Sequence, residues 1–84
     1  MARIIRYDKP IIKTAAEMKS GDIFRTEYGD YGNWCEFVFV CCGACAPDCT
    51  VTTFHLIGRN NTKRCYEYTD INHVTYTVVG RESA

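Results

Sequence analysis

Along most of this chain apolar and polar side chains alternate with a period near two, the pattern of half-buried β-strands rather than helices. The first such stretch, Arg3–Tyr7, is short, and Pro10 interrupts it before Ile11–Lys13, which predicts an edge strand or an arm. Thr14–Lys19 is the one helix-like piece. Thr14 and Glu17 have the capping-box spacing, Ser20-Gly21 ends the segment, and its length allows one or two turns. Further strands are predicted at Asp22–Glu27, Trp34–Cys41, Thr50–Ile57, Arg64–Thr69 and His73–Val79, separated by glycine- and asparagine-containing turns. The tail from Gly80 to Ala84 reads as frayed. Short strands at regular spacing with one helical turn predict a mainly β fold: a small antiparallel barrel or rolled sheet of five to six strands with a short helix near the N-terminus.

The segment Thr14–Phe24 looks like the helical turn and Gly-Asp entry into the first strand of SH3-like small barrels, a resemblance carried by about a dozen residues. With 84 residues, 46% of them hydrophobic and 24% charged, the chain reads as one folded domain spanning residues 1–84. A chain this short buries only roughly 60–65% of its unfolded surface, so chains near this size often add a metal, disulfides or a partner to the core. No apolar run approaches the ~20 residues that crossing a bilayer requires. Met1–Lys13 lacks the apolar stretch of a signal peptide, so the expectation is a cytoplasmic monomer with no membrane association.

Ten basic residues balance ten acidic ones. A general nucleic-acid binder of this size carries a basic excess, because neutralising phosphates supplies much of its affinity. Residues 20–50 hold Arg25 against Asp22, Glu27, Asp30, Glu36 and Asp48, an acidic stretch suited to a protein partner with a basic surface. Within it, Tyr28, Tyr31 and Trp34 surround a glycine-rich turn, and Tyr and Trp are enriched at binding hot spots. Glu27, Tyr28, Asp30, Tyr31, Trp34 and Glu36 are therefore the candidate partner-binding residues. Aromatics flanking a hairpin also pack on one another, and Phe24, Phe37, Phe39 and Phe54 read as core.

Six cysteines is a high count, and four of them, Cys41, Cys42, Cys45 and Cys49, fall within nine residues. Disulfides are unusual in a reducing cytosol. Cys42 and Cys45 have the two-residue gap that lets two thiolates meet one ion, Gly43 supplies the freedom a knuckle needs, and Pro47 turns the chain back toward Cys49. Tetrahedral thiolate sites select zinc, which contributes on the order of 10 kcal/mol to the folding of small metal-bound domains. If Trp34–Cys41 pairs with Val51–Ile57, residue 41 lies opposite about residue 51, and Cys35 and Cys65 fall at the far end, roughly 20 Å away. The expected ligands of a structural Zn2+ are thus Cys41, Cys42, Cys45 and Cys49, with His73 as the rival fourth ligand, because adjacent cysteines strain a shared site. Cys35 and Cys65 read as small core residues, and His55 as a hydrogen-bonded strand histidine.

The common catalytic constellations are missing: no Gly-rich phosphate loop, no His-Glu-x-x-His and no Gly-x-Ser-x-Gly. The reading is a non-enzyme. As a whole, the chain resembles the small phage- or mobile-element-encoded inhibitors of bacterial defence, particularly the anti-CRISPR proteins acting on Cas9. The resemblance is one of size, chemistry and the cysteine cluster Cys41–Cys49. It implies a single compact domain that blocks a nucleoprotein by contact, hindering DNA loading or activation. Near-neutral charge departs from the strongly acidic DNA mimics of that group. A zinc-containing nucleic-acid-binding module using Arg59, Lys63, Arg64 and Tyr66 is the alternative, and a structural subunit of a larger complex the second.

Overall fold

A computed structural model describes residues 3–27, 34–59 and 61–83, and the side chains of all of these except 26, 27, 34 and 35. Among the described residues the strands are β1 (Arg3–Thr14), β2 (Asp22–Glu27), β3 (Trp34–Ala46), β4 (Cys49–Leu56), β5 (Thr62–Glu67) and β6 (Thr75–Ser83). They form one antiparallel sheet in the order β1-β6-β2-β3-β4-β5. The sheet is rolled but not closed: β1 and β5 are its two edges.

The roll is visible in the side chains of its inner face. Phe24, Phe37 and Phe54 come from three adjacent strands, with ring centroids 4.9 to 5.9 Å apart, and Tyr76 of β6 stacks edge-on to Phe24 at 5.0 Å. The Tyr76 hydroxyl reaches Thr52 Oγ1 on β4 at 2.6 Å, although β2 and β3 lie between those strands. Met18, Phe39 and Val78 complete this core. Strand alternation turns Ile23 and Val38 to the opposite face, where they bury Val79 and meet Ile57.

Two glycines shape the sheet. Gly21 has φ of +96°, and from that conformation its N–H donates to the Phe39 carbonyl at 2.9 Å while its carbonyl accepts from Glu82 N–H at 2.8 Å. At Gly80, a Cβ would lie 2.5 Å from the Ile5 carbonyl oxygen, so only glycine lets β1 approach β6 there.

Of the two readings of the N-terminal segment the edge strand is the one formed: β1 runs through Pro10 at the sheet edge, with a register break between Arg6 and Ile11. Two other expectations change. The C-terminal tail is not frayed, because Arg81, Glu82 and Ser83 pair with Ile5, Ile4 and Arg3. The helix shrinks to a 3-10 turn, Ala15–Glu17, in which Glu17 Oε1 accepts from the Thr14 N–H at 2.9 Å and hydroxyl at 3.0 Å.

Candidate metal site and binding surfaces

The cysteine cluster lies on a strand. β3 continues through Cys41, Cys42 and Cys45 to Ala46, and β4 returns from Cys49 after the two-residue turn Pro47-Asp48. The register differs from that expected: Cys41 faces Thr53 and Cys42 faces Thr52. Register breaks between Phe39 and Cys41 and between Ala44 and Ala46 mark bulges at Val40 and Cys45.

This extended course separates the predicted ligands. Cys42 packs against the aromatic core, and its thiol donates to the Ala15 carbonyl at 3.1 Å; burial pushes its pKa up. Cys41 and Cys45 line a groove on the outer face, to which Cys42 and Gly43 also contribute. Four residues along a strand span about 13 Å. Thiolates sharing one tetrahedral zinc lie only about 4 Å apart, so Cys41 and Cys45 as placed do not reach one ion. Cys45, at the bulge, is brought to Cys49 across the hairpin tip. The hydrogen bond between them, with burial and the nearby Asp48 charge, pushes the Cys49 thiol up to about 11. Cys41, Cys42, Cys45, Cys49 and Cys65 are all free thiols. Among the described residues, no three Cys, His, Asp or Glu side chains converge as a metal-binding group. The residues as placed do not fit a four-thiolate zinc site; they offer a two-thiol tip. His73 is exposed in the turn before β6, where its N–H donates to the Asp70 carbonyl at 2.8 Å.

Cys65 lies elsewhere than expected. It pairs with Thr52, which pairs in turn with Cys42, so Cys42 and Cys65 flank Thr52 on the core side. Pairing of His55 with Thr62 centres the turn on Gly58–Arg59, earlier in the chain than expected, which slides β5 toward the tip. Cys65 does behave as a small core residue, with its thiol pKa raised chiefly by burial. His55 Nδ1 lies 2.8 Å from the Leu56 carbonyl.

Of the predicted partner-binding residues, Tyr28, Asp30 and Tyr31 lie outside the described residues. Glu27 and Trp34 are backbone partners at the end of the β2–β3 ladder, and their side chains are likewise outside the description. Glu36 is already engaged. Arg6 grips both its oxygens, at 2.8 and 3.0 Å, and Arg25 stands 3.9 Å away. The bond from Arg6 holds the Glu36 carboxyl below the ordinary glutamate range. Asp22, another acid of the middle segment, is buried; it accepts from Lys13 Nζ at 3.1 Å and the Lys19 N–H at 2.9 Å. Two of the five acids counted toward an acidic surface are thus neutralised within the chain. The Arg6–Glu36 pair has no local signal in the sequence, since it depends on strand order across 30 residues.

The opposite edge is more open. A groove of about 340 Å³ on the outer face is lined by residues including Cys41, Cys45, Val51, Thr53, Arg64 and Tyr66. A second, of about 250 Å³, is lined by Leu56, Arg59, Asn61 and Lys63. Lys63 and Arg64, consecutive on β5, therefore face different grooves, which divides the basic residues of the nucleic-acid reading between two surfaces. Tyr66 and Tyr68 are 54% and 88% exposed at this edge.

Comparison of the chain with protein-family models, with curated proteins and with solved structures gives no match. Among the described residues no helix is long and apolar enough to cross a membrane.

Proposed function

We propose that this chain is a non-enzymatic protein-binding module that inhibits its target by contact. The observation that carries the reading is the edge at β5, where Tyr66 and Tyr68 stand exposed beside an apolar-floored groove. Large aromatics at a free strand edge supply contact area at low conformational cost, and the edge itself supplies backbone hydrogen bonds to an incoming chain. The resemblance to anti-CRISPR proteins names Cas9 as the target, in a bacterial cytoplasm, with inhibition at DNA loading or activation. Pull-down with a Cas9–guide complex, followed by target-DNA binding, tests it. Association that weakens with Tyr66→Ala and Tyr68→Ala supports the reading, and no association at micromolar concentration removes Cas9 as target.

A nucleic-acid-binding module is the competing proposal, and binding to random DNA at low and raised salt decides it: strong salt-dependent affinity would reverse the ranking. A structural zinc is a further proposal, favoured by the Cys45–Cys49 contact at the hairpin tip. Completing it with Cys41, Cys42 or His73 requires β3 to leave its ladder near Gly43.

A further inference from the structure

An open sheet has two edges, and this chain treats them differently. β1 is guarded. Pro10 lacks a backbone donor, the ladder breaks between Arg6 and Ile11, and Arg3, Arg6, Lys9 and Lys13 load it with positive charge. β5 carries no proline or glycine, and it pairs with β4 in unbroken register from Thr50↔Glu67 to His55↔Thr62. Among the described residues no strand pairs with its outer side.

Charges usually protect such an edge, and three of its six residues are charged: Lys63, Arg64 and Glu67. Their order has the opposite consequence when the strand meets itself. Two copies of one strand, paired antiparallel about a two-fold axis, place residue i opposite j at a constant, even sum, because facing residues must turn the same ladder groups outward. Centring the axis on Arg64 sets that cation against itself. Centring it on Tyr66 leaves both ion pairs unmade. Centring it on Cys65 sets Lys63 opposite Glu67 of the second copy and Arg64 opposite Tyr66 of the second copy, each twice. The first pair is ionic and the second a cation–π contact, with Cβ atoms about 4.5–5.5 Å apart on matching faces.

We propose that β5 pairs with β5 of a second copy about a two-fold axis at Cys65, joining two rolled sheets into one, in place of the monomer expected from sequence. The interface covers Tyr66 and engages Tyr68, the most exposed large apolar residues of this edge. It goes beyond the protein-binding reading and does not depend on Cas9; because it uses the same edge, a second copy and a target compete for β5.

Sedimentation equilibrium of the reduced, full-length chain tests it without any partner. Wild-type protein is expected to dimerise with a micromolar Kd. Lys63→Glu and Glu67→Lys each turn two attractive pairs repulsive and weaken the dimer about tenfold or more. The double variant K63E/E67K restores it, and the two single variants mixed together form a heterodimer in preference to either homodimer. Circular dichroism establishes that each variant is folded. Hydrogen exchange on the wild type supplies a readout free of substitutions: protection of β5 amides rises with protein concentration. A wild type that stays monomeric to near-millimolar concentration, concentration-dependent protection at β1 instead, or a folded double variant that fails to associate would overturn the proposal. Failure of a Cas9 pull-down leaves this dimer standing, and a strictly monomeric chain leaves the pull-down to be judged by itself.

Discussion

Arg6 holds Glu36 across two intervening strands, with both guanidinium contacts at or below 3.0 Å. The pair clips edge strand β1 to β3, and Arg25 adds charge beside it. The Arg6 hydrogen bond is the main reason the Glu36 carboxyl titrates below its ordinary range. Glu17, bonded to Thr14, is lowered in the same way. A carboxyl whose folded pKa is depressed adds stability that is complete above the unfolded value, roughly 4.3, and drains away as pH falls through the folded value. Denaturant midpoints are therefore expected to be flat near neutrality and to fall below about pH 4.5. Glu36→Gln should lower the midpoint modestly at neutral pH, with the difference from wild type vanishing in acid and shrinking in high salt. A difference that persists at pH 3 would mean that the carboxylate charge is not what the pair contributes.

Gly80 is expected to be the glycine least tolerant of a methyl group. Its Cβ would press on the Ile5 carbonyl oxygen at 2.5 Å, and that backbone is locked in the β1–β6 ladder. Gly80→Ala should cost about 1–3 kcal/mol in urea unfolding. Gly43→Ala is the control, since nothing lies within 4 Å of a Cβ there and the residue is not among those with positive φ. Equal effects of the two substitutions would contradict the close approach of β1.

The hydroxyl pair between buried Thr52 and half-buried Tyr76, 2.6 Å apart, ties β4 to β6 through the core. Tyr76→Phe leaves Thr52, fully buried, without that partner and should cost about 1–3 kcal/mol. Thr52→Val alone should cost a comparable amount. The double variant should cost less than the two added together, because neither hydroxyl then remains to be satisfied. Strict additivity would show that the two strands are not coupled through this bond.

Local chemistry was readable where it was local. Asp22–Glu27 forms a strand over the predicted residues, Phe37 and Phe39 both face the core, and Glu17 binds back to Thr14. The cysteine segment was harder, because cysteine, glycine and alanine carry little strand preference of their own and a two-residue cysteine gap suits a knuckle. Pairing with Thr50–Thr53 overrides that weak local signal. The C-terminal residues gave no sign of order, since their strand depends on partners distant in sequence, β1 on one side and Gly21–Ile23 on the other. Placement of β6 between β1 and β2 is a long-range property, and Arg6–Glu36 follows from it.

The course of β3 makes a sharp prediction about metal binding. With Cys42 bonded to Ala15 in the core and Cys41 about 13 Å along the strand from Cys45, thiolate ligation at the tip is confined to Cys45 and Cys49. Cobalt(II), whose absorption reports the number of bound thiolates, can be titrated into the reduced protein as a stand-in for zinc. Any binding should show two thiolates per ion, should disappear in Cys45→Ser and Cys49→Ser, and should survive Cys42→Ser. Loss of binding in Cys42→Ser, together with a four-thiolate spectrum, would require β3 to unpair around Gly43 in the metal-bound state. Gly43→Ala would then weaken metal affinity while leaving the metal-free fold as stable as before, and a strong chelator would lower the melting temperature of the wild type.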